Sequence, residues 1–163
     1  MSRLALAACC LLLGAPARGD KAVSLRINVD GADGSALPCR VHLSDAAGKP
    51  QQPPGLPFWR DHFVCSGRAE LRLAPGRYRY EVERGPEHQR LRGSLELTEG
   101  RDHTLHLQVG RLADLAKEGW YSGDLHVHRP VADIELLMRA EDLHVAPVTW
   151  TGGKTEGAPP AAR

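Results

Sequence analysis

"LAPGRYRYEVERG" (Leu73–Gly85) reads as a strand held between two turns. Tyr78, Tyr80 and Val82 alternate with Arg77, Arg79, Glu81 and Glu83, so apolar side chains recur with period two. That period belongs to a strand with one face packed and the other in water. A proline-glycine pair precedes the strand and a glycine closes it, both residues of turn chemistry. The same scheme recurs on either side. "AVSLRINV" places Val23, Leu25, Ile27 and Val29 on one face, with Ser24, Arg26 and Asn28 on the other, and "DGADGS" follows as a turn cluster. "CRVHLS" buries Val41 and Leu43, and "AELRLAPG" presents Ala69, Leu71 and Leu73. "RLRGSLEL" contributes Leu91, Leu95 and Leu97, and "HTLHLQV" contributes Leu105, Leu107 and Val109. Repeated short alternating runs between turns predict an antiparallel β-sandwich over residues 20–110. "GKPQQPPGLP" is too rich in proline for a central strand and is expected to be a loop.

After Gly110 the period changes. "RLADLAKEG" is a connector of helical character, "GDLHVH" has a strand pattern, and "ADIELLMRAEDL" is an amphipathic helix. Ile134, Leu137, Met138 and Glu141 fall on one stripe of that helix. Asp133 stands where it can cap the start, and Glu135 can pair with Arg139 one turn on. "HVAPVTW" is a second apolar strand. Strand, helix and strand predict a βαβ unit, the start of an α/β domain over residues 111–150. The tail 151–163, "TGGKTEGAPPAAR", has no periodicity and is expected to be disordered. The expected fold class is therefore mainly β: an antiparallel sandwich followed by a truncated βαβ opening.

The 21 basic and 20 acidic residues nearly cancel, which excludes electrostatic binding of nucleic acid or of an anionic membrane as the main function. Residues 1–19 read as a signal peptide: Arg3, an apolar run from Leu4 to Leu13, then Ala15-Pro16-Ala17 as a cleavage site. That run is too short for a transmembrane anchor. The expected location is periplasmic or extracellular. A lipoprotein box, "LAAC" at Leu6 to Cys9, is the alternative route of export. Cys39 and Cys65 remain after cleavage. In an oxidising compartment they either pair or serve as two half-buried small apolar residues on strands.

The residues with candidate chemistry lie in "GWYSGDLHVHRP" (Gly119 to Pro130). On a strand Asp124, His126 and His128 share a face, with Leu125 and Val127 on the packed side. Two imidazoles on one face can ligate one metal ion, and Asp124 is placed to orient one of them or to bind from outside the ligand set. His42 and His106 are expected to point outward, with His103 on the face opposite His106. His62, His88 and His144 have no partner at ligand spacing, and surface or interface roles are expected for all six. Phe58 and Trp59, or Trp120 and Tyr121, could stack on a sugar, although domain-boundary packing suits the second pair better. The sequence contains no Ser-His-Asp spacing, no phosphate-binding glycine loop and no basic stripe.

"GWYSGDLHVHRP" followed by "AEDLHVAPV" resembles the start of a PHP-type metallohydrolase domain, in particular that of the CehA/McbA-like group, in which an exported PHP domain often follows a β-sandwich. The resemblance implies a barrel-like α/β domain in which His126 and His128 are metal ligands. It also implies a carboxylate near Asp133, a position that a helix N-cap explains equally well. Zinc, manganese or iron would activate water there if the site were completed; otherwise the chain has no cofactor. The likeness covers only Gly119 to Trp150. Thr149, Trp150 and Thr151 stand where the family commonly has Thr-Asp-His, and its later ligands would fall beyond Arg163. The expectation is a hydrolase-family member, truncated, and inactive or impaired as this chain. "LAPGRYRYEVERG" resembles carboxypeptidase regulatory-like or transthyretin-like sandwiches. The alternative expectation is a non-catalytic exported β-sandwich that binds a small molecule or carbohydrate, or acts as a spacer.

Overall fold

Eight strands form in the computed structural model, which describes residues 21–148. The expected signal sequence, Thr149 to Thr151 and the rest of the tail lie outside these residues. The strands are β1 (Val23–Gly31), β2 (Cys39–Asp45), β3 (Phe58–Trp59), β4 (His62–Cys65), β5 (Arg68–Leu73), β6 (Gly76–Glu83), β7 (Leu91–Leu97) and β8 (His103–Val109). They make two sheets, a three-stranded one ordered β5-β1-β8 and a five-stranded one ordered β3-β4-β2-β6-β7. Their inner faces share one core. Leu25, Ile27 and Val29 from β1 join Val41, Leu43, Phe63 and Val82 from the larger sheet, all at most 1% exposed. The alternation read in β1, β2, β5 and β6 is therefore the inward face of each strand. Tyr78 is buried, and its hydroxyl donates to the Ala74 carbonyl at 2.9 Å, which satisfies the one polar atom it takes inside.

Two features differ from the sequence expectation. The sandwich is not wholly antiparallel, because β8 runs parallel to β1, from Leu25↔His103 to Gly31↔Val109. The whole larger sheet intervenes between these strands in the chain, so no tight hairpin forces them antiparallel. The second difference is β3 and β4, which period two does not reveal. Phe63, Val64 and Cys65 are consecutive and all buried. Phe63 and Cys65 face the core, while the opposite side of β4 is covered by the helix described next. A strand covered on both faces loses its alternation.

Beyond Val109 the chain forms a 3₁₀ turn, Leu115–Glu118, and one short helix, α1 (Ile134–Glu141), entered through a 3₁₀ turn at Val131–Asp133. α1 packs on β2 and β4. The segments flanking α1 meet in parallel at two isolated bridges, Gly123↔Val145 and Val127↔Val148, and form no continuous ladder. The expected packing side is also only half realised: Val127 is 8% exposed, but Leu125 is 75% exposed. Asp133 occupies the N-cap position without a side-chain capping bond. Glu135 and Arg139 do approach, at 3.7 Å.

Polar contacts tie this appendage to the sandwich. Arg84 donates to the Pro38 carbonyl at 2.9 Å, to the Arg139 carbonyl, and to Asp142 Oδ1 at 2.7 Å. Arg111 reaches Asp142 Oδ2 at 3.1 Å and Glu87 at 3.0 Å. His88, expected in a surface or interface role, is 8% exposed and lies at this junction beside Asp142.

Candidate functional site

A cleft opens where α1 and the segment before it lean on β3 and β4. Its outer part holds ≈ 300 Å³ and is bordered by Pro57, Trp59, His62, His128, Arg129 and Asp133. An adjoining hollow of ≈ 500 Å³ runs beneath α1, past Arg40, Asp124, Met138 and Glu141. The expected helical stripe of Ile134, Leu137, Met138 and Glu141 borders this hollow. Trp59 is 49% exposed, and the Arg129 guanidinium lies 4.2 Å from its ring centroid. That distance is within the range of a cation–π contact. Trp120 and Tyr121, expected to pack at a boundary, are 71% and 68% exposed. The Tyr121 ring instead meets His144 edge-on at 5.2 Å.

His126 and His128 are adjacent, as their spacing implies. Their Nε2 atoms are 2.8 Å apart, and the rings meet at 66°. That separation is a hydrogen bond in which one ring N–H donates to the other nitrogen. Ligands 2.0–2.1 Å from a tetrahedral zinc would stand about 3.3 Å apart. Asp124 Oδ1 accepts the backbone N–H of His126 at 3.0 Å, closing a local turn around the histidine. Asp133 shares the outer cleft with His128. Among the described residues, however, no third ligand atom comes within metal-binding range of the pair. Two imidazoles alone do not make a hydrolytic centre, which needs about three protein ligands and an open position.

The one trio that does converge among the described residues is His42, Asp61 and His62, with ligand atoms all within 4.8 Å of one another. His42 and His62 are directly opposite across the β2–β4 pair, their ring centroids 5.0 Å apart. Asp61, in the turn from β3, places Oδ1 3.0 Å from His62 Nδ1 and Oδ2 3.3 Å from His42 Nδ1. The His62 hydrogen bond holds the Asp61 carboxyl below its ordinary range. Burial lowers the basicity of His62, against the opposing pull of Asp61. On the far side, His42 Nε2 is 3.2 Å from Glu83, which Arg40 grips at 2.6 Å and Arg90 at 2.7 Å. Burial also raises the Glu141 carboxyl pKa, although Arg40, 3.2 Å away, opposes it. The sequence signal for this trio was only the Asp-His pair; its partner comes from another strand, so local spacing could not supply it.

No protein-family model matches the chain, and no curated protein gives a match. Among solved structures it is similar to the TIE protein of Bacillus anthracis, at 20% identity and a TM-score of 0.43, over 56% of this chain and 17% of that one. It is also similar to GBS52, the minor pilin of Streptococcus agalactiae, at 16% identity and a TM-score of 0.47, over 58% of this chain and 46% of that one. The chain thus spans less than half the length of either. Likeness at this level assigns no activity. No helix among the described residues is long and apolar enough to cross a membrane.

Proposed function

We propose that this chain serves as an exported, non-catalytic β-sandwich module that takes a small polar molecule or a carbohydrate in the cleft beside Trp59. The position of the core supports this. Every member of the continuous core lies between Val23 and Val109, and the described segment after it adds only Val127 and Ala140 as buried apolar side chains. The sandwich thus has a core of its own, with the histidine segment docked on it as one wall of a cleft. A half-exposed indole surrounded by Arg129, His62, His128 and Asp133 offers a ring face for sugar C–H groups and polar groups for hydroxyls. Calorimetric titration of the full chain with a panel of neutral and acidic oligosaccharides tests the proposal. Binding that disappears in Trp59→Ala supports it; heat that is absent throughout the panel, or unchanged by the substitution, refutes it.

A second reading rests on the His126–His128 contact and on the two parallel bridges around α1. Under it the segment descends from a PHP-type metal-dependent hydrolase, with His126 and His128 as ligands, Asp133 as a further carboxylate and Asp124 in support. Metal-stimulated hydrolysis of an aryl phosphodiester with zinc, manganese or iron, lost in the His126→Ala, His128→Ala double variant, would favour descent with retained activity. Equal background rates in both proteins would leave the binding module as the function.

A further inference from the structure

We infer that His42, Asp61 and His62 form a zinc site on the outer face of the larger sheet, separate from the His126–His128 pair. Two of its three ligands are fixed by the sheet. β2 is paired on both edges, by β4 and β6, and the antiparallel register sets His42 opposite His62. Side chains directly opposite on one face stand about 4.5–5.5 Å apart at Cβ, which suits two imidazoles converging on one ion. The third ligand comes from the tight β3–β4 turn, where Asp61 donates its N–H to the Trp59 carbonyl at 2.7 Å. Taking one ligand atom from each residue, the three lie within 4.8 Å of one another, against the about 3.3 Å between neighbouring ligands of a tetrahedral zinc. Small ring movements would admit the ion.

The surroundings fit as well. A metal-binding imidazole characteristically donates its other N–H to a carboxylate, which fixes the tautomer and strengthens the ligand. Glu83 stands in that place, 3.2 Å from His42 Nε2. Its two arginine partners hold it in position. The Arg40 charge, which would repel a cation, is matched by Glu83 and Glu141. Two nitrogens and one carboxylate oxygen form a borderline donor set, suited to zinc rather than to calcium or magnesium. The Asp61 side chain is 63% exposed, so a fourth position is open to water or to an exogenous donor. Because His62 also borders the cleft at Trp59, the ion would lie at the cleft rim.

The full chain, stripped with a chelator, is titrated with Zn²⁺ by calorimetry and with Co²⁺ by visible absorption. One equivalent is expected, with the intense absorption of a tetrahedral cobalt site. Asp61→Asn lies on an exposed turn and should leave the circular dichroism spectrum unchanged. It and His42→Gln should each weaken Zn²⁺ binding by more than the roughly 10- to 100-fold that changes beside a ligand cause. The double change of His126 and His128 to alanine should leave the affinity unaltered. No zinc binding by the unmodified chain, affinity untouched by Asp61→Asn, or loss of binding in the His126/His128 variant would each overturn the inference.

Discussion

Gly85 has φ +53°, and a Cβ added there would overlap the Glu141 carbonyl oxygen at the end of α1. Backbone meets backbone at this point, so nothing flexible can give way. Gly85→Ala should therefore lift α1 from the sandwich at a cost of about 1–3 kcal/mol. Hydrogen exchange should show faster amides in α1, with β1, β2 and β6 as protected as before. His88 gives a prediction in pH. Burial, chiefly, with Arg84 and Arg111 beside it, holds its pKa down, and Asp142 only partly opposes this. The native state then binds fewer protons than the unfolded chain, whose His88 titrates at about 6.5. Stability from this residue is complete above that pH and declines as pH falls through it toward the lower native value. Urea midpoints on either side of pH ~6.5 should drop further in the unmodified protein than in His88→Gln. At this scale the sequence was a poor guide, since nothing in "PEHQR" marks His88 as covered by Asp142, a residue more than fifty positions away.

At the scale of elements, β6 and β4 are opposites. β6 keeps one face in water, so its Tyr-x-Tyr-x-Val pattern was legible. β4 has both faces covered and only four residues, so it carried no pattern, and with it went the partner of His42. Phe63 on β4 is fully buried, and Phe63→Ala should reduce unfolding free energy by about 3–5 kcal/mol in denaturant titration. Charged contacts tie the end of α1 to the sandwich. Arg84 and Asp142 have side chains only 14% and 16% exposed. Removing one member leaves the other unpaired at a largely dehydrated junction. Arg84→Met should raise exchange in α1 and after it while the sandwich strands stay protected. Uniform loss of protection across all strands would show instead that the appendage is part of one cooperative unit.

Across the whole molecule, the antiparallel β2–β4 pairing within the larger sheet brings Cys39 and Cys65 into direct opposition, both fully buried, with Sγ atoms 3.9 Å apart. The hydrogen bond to Cys65, together with burial, pushes the Cys39 thiol well above its ordinary range. Both are thiols here, 26 positions apart in the chain. Oxidation should join them and raise stability by roughly 3 kcal/mol through the closed loop. Mass spectrometry with and without reduction, alongside thermal melts, checks both halves of that statement. The sequence alone determined the six alternating strands, the loop at the proline cluster, the amphipathic stripe of α1 and the adjacency of His126 and His128. Each of these is written in side chains within a few positions of one another. Only the tertiary structure decided the parallel β1–β8 pairing, the two-faced β4, the exposure of Leu125, the opposition of the cysteines and the convergence of His42, Asp61 and His62. Those features arise where strands distant in the chain come into register, and register is set by what each face packs against.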